Sequence, residues 1–169
     1  MTGVLLVGGA SERFGSPKAL ARFGGETLAE RAWRTLGEAF EARLAVGKGD
    51  LELPFDVLVE PAEPRAPLVG VIAGLRAAVT ETAVFLPVDC PLVTASLLRE
   101  LGERRAATRT GPLPGAYSKD DLPELERRLQ TADWSLRGVN PRVLEVDPRL
   151  LANANTPEEL RELLTQVKL

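Results

Sequence analysis

An apolar run, Val4-Leu5-Leu6-Val7, ends abruptly at the pair Gly8-Gly9. Unbroken apolar residues in a short run suit a strand covered on both faces, the setting of a central parallel strand. The glycines let the backbone turn and approach a ligand with no Cβ in the way. The loop beyond them carries a hydroxyl, Ser11, and two cations, Arg13 and Lys18. A strand emptying into such a loop is a common way for α/β proteins to grip phosphate. It is not a Walker A loop, which closes on Gly-Lys-Ser/Thr, because Lys18 follows Pro17. It is not the dinucleotide fingerprint either: Pro17 and the long loop delay the next helix until about Leu28. On these residues alone, a surface loop with incidental charges stays as open as a phosphate site.

The chain of 169 residues suits one domain, spanning 1–169, with a substantial core. Its formal net charge is -3 with no dominant basic patch, so no nucleic-acid partner is expected. The apolar start is too short for a signal peptide or a membrane span, so no membrane partner is expected. A single cysteine, Cys90, allows no internal disulfide and fits a reducing cytoplasm. There is no histidine, which removes Ser-His and Cys-His nucleophilic pairs and histidine-bound zinc. A metal would sit on oxygen ligands, and that points to magnesium.

The periodicity alternates. Thr27 to Phe40 reads as a helix: Thr27 and Glu30 have capping-box spacing, and Leu28, Ala32, Trp33, Leu36 and Phe40 share one face. Short strands are expected at 43–46 and 55–59, a proline-rich loop at 60–67, and a helix over 69–78. A central strand comes next at 82–86, then a helix over 95–104 capped by Thr94. Residues 106–117 suggest an irregular hairpin, 122–129 a helix capped by Asp120 or Asp121, and 142–146 a strand. Thr156 is an N-cap, Pro157 the first helical position and Glu159 the closing member of a capping box, for a helix running to about Val167. This order predicts a mainly parallel, three-layer α/β sheet.

Three further stretches carry candidate chemistry. Pro87-Val88-Asp89-Cys90-Pro91 delivers a carboxylate to the end of the central strand, where open α/β sheets bind ligands. Asp89 there could hold magnesium against phosphate oxygens; equally, it could be a turn former before Pro91. Cys90 reads as a small buried hydrophobe, since no base activates it and Asp89 opposes a thiolate. Pro67 and Gly70 either start a helix or bring backbone close to a base or ribose. Asn153 and Asn155 are turn formers on pattern alone.

From Leu6 to Leu20 the chain reads Leu-x-Gly-Gly-x-Ser-x-Arg-x-Gly-x-x-Lys-Ala-Leu. This resembles the signature loop of nucleotidyltransferases, most closely that of the molybdenum cofactor guanylyltransferase family. Gly8-Gly9 stands where cytidylyltransferases and sugar-nucleotide enzymes more often have Ala-Ala-Gly, which tilts the resemblance to the guanine user. Pro87, Asp89 and Pro91 match the family's Pro-x-Asp-x-Pro, and Asn153-Ala154-Asn155-Thr156-Pro157-Glu158 matches its Asn-x-Asn-Thr-Pro-Glu. Pro67-Leu68-Val69-Gly70-Val71 is similar to Pro-Leu-Ala-Gly-Ile, with Ala66 where a glycine is usual. Glu60 stands in for an aspartate, the family's asparagine near Lys48 is absent, and the 104–111 region is shortened.

The resemblance implies a Rossmann-like three-layer sandwich, nucleotide-diphospho-sugar transferase-like, that moves GMP from GTP to the terminal phosphate of molybdopterin and releases pyrophosphate. It implies nucleotide contacts from Leu6, Val7, Gly8, Gly9, Ser11, Lys18, Glu60, Gly70 and Asp89. Arg13, Lys18 and Asp89 would be catalytic, with Asp89 on magnesium. Asn153, Asn155 and Tyr117 would face the acceptor. Transient contacts with other cofactor-biosynthesis proteins or molybdoenzymes are implied as well. CMP transfer, transfer to a sugar phosphate, and a non-catalytic nucleotide-binding or adaptor role remain alternatives.

Overall fold

The structure, a computed structural model, describes residues 1–8, 14–49, 51–140 and 142–167. In chain order its elements are β1 (Thr2–Leu6), β2 (Arg22–Phe23), β3 (Glu26–Thr27), α1 (Leu28–Ala39), β4 (Ala42–Gly47), β5 (Val57–Val59), α2 (Pro67–Ala77), β6 (Thr82–Pro87), α3 (Ala95–Arg104), β7 (Ala107–Thr108), β8 (Gly111–Ser118), α4 (Leu122–Gln130), β9 (Val143–Leu144) and α5 (Pro157–Val167). Seven strands form one sheet in the order β5-β4-β1-β6-β8-β7-β9, while β2 and β3 make a separate hairpin. Strands β5, β4, β1 and β6 are mutually parallel, and β8 runs against β6.

Strand β1 is buried at every position, because both its edges are paired and both its faces are covered. Side chains alternate across a pleated sheet, so its apolar run serves two cores. Leu5 joins Val84, Leu86, Leu28, Leu36, Leu98 and Leu101 on the face of α1 and α3. Val4 and Leu6 join Phe85, Leu68, Leu75 and Leu125 on the face of α2 and α4. This is the three-layer architecture expected from the alternating pattern.

The caps behave largely as their residue types dictate. Thr27 accepts from the Glu30 amide and the Glu30 carboxylate accepts from the Thr27 amide, a complete capping box on α1. Thr94 caps α3 through the Leu97 amide. Two details differ from expectation. Neither Asp120 nor Asp121 caps α4 with its side chain; Ser118 instead caps a 3-10 turn over Lys119–Asp121 that leads into it. Glu159 turns to the Asn155 amide rather than back to Thr156, whose hydroxyl still accepts from the Glu159 amide.

Helix α2 lies close on the sheet at Gly74. A Cβ there would come within 2.6 Å of Phe85 Cε1 and 2.9 Å of Val4 Cγ1. Both neighbours are fully buried, so neither can move aside cheaply. Alanine would gain up to ~1 kcal/mol of helix propensity, against ~1–3 kcal/mol for overpacking a dense core. Gly74→Ala is therefore expected to lower stability by about 1–2 kcal/mol, read as a lower urea midpoint at unchanged m-value.

Candidate active site

The carboxyl ends of β4, β1 and β6 lie side by side, with Leu6 opposite both Val46 and Pro87. The loops leaving these strands are thereby brought to one edge, the usual ligand edge of an open α/β sheet. Val88 N donates to Leu6 O and Val7 N donates to Val46 O, extending the pairing into the loops. Asp89 sits in the turn just beyond β6, where Cys90 N donates to Pro87 O. Its backbone carbonyl accepts from Ala154 N, which stitches the segment before α5 to this turn. Lys18 opens a 3-10 turn over Lys18–Leu20, with Ala21 N donating to Lys18 O.

These anchors bring three side chains together from remote parts of the chain. Lys18 Nζ donates to Asp89 Oδ2 at 3.2 Å and to Asn155 Oδ1 at 3.1 Å. Lys18 is 14% exposed and Asp89 is 24% exposed, so the pair is partly shielded yet open to a ligand. An ammonium between a carboxylate and an amide oxygen shows that this pocket of oxygens accepts a cation. Hard oxygen donors of this kind suit magnesium, which keeps few protein ligands and completes its shell with water and phosphate. Among the described residues no cluster of three or more His, Cys, Asp or Glu could enclose a metal by itself. Asn153 is exposed, two residues before Asn155.

A second pair lies at the ends of β4 and β5. Glu60, whose amide donates to Gly47 O, has its Oε1 3.3 Å from Lys48 Nζ. The Glu60 side chain is 7% exposed, and Oε2 is buried without a hydrogen-bond partner among the described residues. Its carboxylate is wedged between two glycines: a Cβ at Gly8 would come within 3.0 Å of Oε1, and one at Gly70 within 3.0 Å of Oε2. The close approach these glycines permit is thus first an approach of Glu60. Lys48 also donates to Pro61 O. Nothing in the spacing of Lys48 and Glu60 announces their pairing, which arises because Gly47 is the register partner of Val59.

The remaining expected residues are placed less favourably. Gly9, Ser11 and Arg13 lie outside the described residues. Leu6 and Val7 turn their side chains into the core, so only their backbone faces this edge. Tyr117 is not at the site. It is opposite Ala83, near the start of β6, about 20 Å along the strand from Asp89. It is 1% exposed, packs edge-on to Phe85 with centroids 5.9 Å apart, and donates its hydroxyl to Pro112 O. It has no surface to offer an acceptor. Cys90 is buried beside Asp89, and burial first, then the Asp89 carboxylate, push its thiol up.

A lysine held between oxygens at the carboxyl edge of a mainly parallel sheet suits the binding of a nucleotide's phosphates, and the family match puts the chain among the α/β nucleotidyltransferases. Residues 3–140 match the MobA-like NTP transferase domain, and the chain belongs to that family. It is 30% identical to a probable molybdenum cofactor guanylyltransferase of a Geobacillus species, across 98% of each chain. Among solved structures, the molybdopterin-guanine dinucleotide biosynthesis protein A of Archaeoglobus fulgidus aligns over 99% of both chains with a TM-score of 0.82 at 21% identity. A Mycobacterium tuberculosis protein solved in complex with manganese aligns over 97% of both chains with a TM-score of 0.67 at 22% identity. No helix among the described residues is long and apolar enough to cross a membrane.

The raised thiol of Cys90 stays neutral at neutral pH, and its sulfur is covered. Iodoacetamide at pH 8 is expected to leave Cys90 unmodified in the native protein and to label it fully in urea, as read by mass spectrometry. Rapid native labelling would contradict this placement.

Proposed function

We propose that the chain transfers GMP from GTP to the terminal phosphate of molybdopterin and releases pyrophosphate. The observation that carries this reading is the Lys18 ammonium held between Asp89 Oδ2 and Asn155 Oδ1. The triphosphate would lie along the carboxyl edge, with loop amides after Gly8 and the cations Arg13 and Lys18 neutralising its charge. Ser11 and Gly9 would belong to the same loop grip. Asp89, with Asn155 beside it, would hold magnesium, and Asn153 would lie toward the acceptor. When bound, the metal supplies further charge neutralisation on the phosphate oxygens.

In the reaction an oxygen of the acceptor phosphate attacks the α-phosphorus in line. The bond from that phosphorus to the bridging oxygen breaks, and its electron pair leaves with pyrophosphate. The attacking oxygen is already anionic, so no proton has to be removed from it. The absence of histidine is compatible with this chemistry. The chain's own residues then contribute position and charge stabilisation.

Glu60 supports guanine as the base. A carboxylate offers acceptors only, and the guanine edge presents adjacent N–H donors at N1 and N2. The cytosine edge presents one amino donor beside acceptors, so it cannot satisfy two carboxylate oxygens at once. An unpartnered buried acceptor costs ~1–3 kcal/mol, and a guanine donor reaching Glu60 would relieve that cost.

Pyrophosphate release from GTP, magnesium and molybdopterin tests the reading. Lys18→Ala is expected to lower kcat by about 100-fold or more, the ~3 kcal/mol typical of one lost electrostatic group. Asp89→Asn should lower it comparably and raise the magnesium requirement. Parental rates in the lysine variant would overturn its role, and no pyrophosphate from the parent protein would overturn the reaction. A separate experiment compares GTP with CTP. Glu60→Gln places an amide donor against the guanine N–H groups, so the GTP KM should rise about tenfold, roughly 1.4 kcal/mol. An unchanged preference for GTP over CTP would remove Glu60 from base recognition.

A further inference from the structure

Arg31 lies on α1, behind the site, and touches neither Lys18 nor Asp89 by any hydrogen bond the structure shows. Its guanidinium nevertheless joins the two segments that carry them. Nε donates to the backbone carbonyl of Pro91 at 2.6 Å. Nη1 donates to Glu26 Oε1 at 3.1 Å. Its plane lies over the Phe23 ring, 5.0 Å from the centroid.

Each partner leads back to the site. Phe23 and Glu26 are the two sides of the β2–β3 hairpin, paired with each other. That hairpin comes directly after Ala21, whose amide closes the turn begun by Lys18 and whose carbonyl accepts from Leu28 N. Phe23 is 2% exposed, so the ring beneath the guanidinium is fixed. Hydrogen bonds from Arg34 first, and then from Arg31, hold the Glu26 carboxyl below its ordinary range against the opposing effect of burial. On the other side, Pro91 is buried two residues after Asp89, in a loop also held by turn bonds of 3.4 Å at Cys90 and Val93 and by a bond of 3.2 Å from Ala154 N to Asp89 O. The contact from Arg31 is much the shorter.

We propose that Arg31 is a positioning residue for nucleotidyl transfer: by tying the β2–β3 hairpin to the Pro91 carbonyl, it sets the spacing between Lys18 and Asp89. The inference rests on the phosphate and metal roles proposed for those two residues. Lysine could not substitute. Its single ammonium on a flexible stem lacks the plane and the divergent donors needed to hold a carbonyl, a carboxylate and a ring face together. A shift of the Pro91 loop carries Asp89 with it, and a misplacement of about 1 Å at a reacting centre can cost 100-fold in rate.

The test uses the full chain with Arg31→Lys and Arg31→Ala, and a second substitution, Glu26→Gln, that leaves Arg31 in place but removes its orienting carboxylate. Urea denaturation measures the folded fraction. Steady-state pyrophosphate release gives kcat and KM. Electron paramagnetic resonance measures Mn2+ affinity in the presence of a non-hydrolysable GTP analogue. Positioning predicts folded variants with kcat lowered ~10- to 100-fold in Arg31→Lys, and Mn2+ affinity lowered about tenfold, the usual effect of losing an outer support of a metal ligand. Glu26→Gln should show both effects in smaller degree, and ethylguanidinium should restore part of the kcat of Arg31→Ala. Parental kcat and Mn2+ affinity in folded Arg31→Lys would overturn the proposal, as would losses that only track the folded fraction. If the parent protein releases no pyrophosphate, the transfer reading fails; the Mn2+ titration still decides whether Arg31 governs the Asp89 site.

Discussion

The register of β1 is the constraint on which the site depends. This strand pairs on one side with β4 and on the other with β6, and Leu6 is level with Val46 and Pro87. Because all three strands run the same way, their carboxyl ends stop together. Gly8, Lys48 and Asp89 then emerge within one row, and β5 adds Glu60 one strand further out. A slip of one residue would turn every side chain of β1 to the opposite face. With Leu5 committed to one core and Val4 and Leu6 to the other, that slip would misplace all three. Burial on both faces therefore does more than stabilise the sheet: it fixes which loops can meet.

Two cation–carboxylate pairs sit along that row, and their surroundings separate them. Lys18 and Asp89 meet where solvent still reaches, with Asn155 alongside. The Asp89 carboxylate is 24% exposed, so a phosphate or a metal can still reach the pair. Lys48 and Glu60 meet around a carboxylate that is almost wholly buried. Removing one member of a buried pair leaves an uncompensated charge, which is strongly destabilising. In the proposed reaction the open pair handles phosphate and the enclosed pair bounds the base, a division set by burial rather than residue type.

Much of this was legible in the sequence, and the limits have physical causes. The capping box at Thr27 and Glu30, the cap at Thr94 and the Thr156-Pro157 start of α5 are local signals that local interactions realise, whereas the apolar run from Val4 marks a strand that pairing with β4 and β6 completes. Lys18, Asp89 and Asn155 could be suspected because each sits in a motif at the end of an element, although their meeting is a tertiary fact. The β2–β3 hairpin carried its own signal, Gly24-Gly25 between Phe23 and Glu26, with Gly24 at φ +70. Its brevity hides it from any periodicity argument, since each strand has only two residues. Arg31 and Lys48 had no signal, because each is defined by a partner supplied through tertiary contact.

Tyr117 shows how strand direction overrides motif position. The family resemblance alone implies that Tyr117 faces the acceptor. Strand β8 is antiparallel to β6, with Thr82 opposite Ser118 and Phe85 opposite Gly115. Its late residues therefore lie at the far end, where Tyr117 fills the core beside Phe85. Its early residues, Gly111 and Pro112, are the ones near the edge that bears Asp89. The Tyr117 hydroxyl reaches back to the Pro112 carbonyl, so the tyrosine braces the first part of β8 from inside. Whatever molecule occupies that side of the edge meets the β7–β8 turn, where Thr108 bonds to Gly111 O, and not the aromatic ring beneath it.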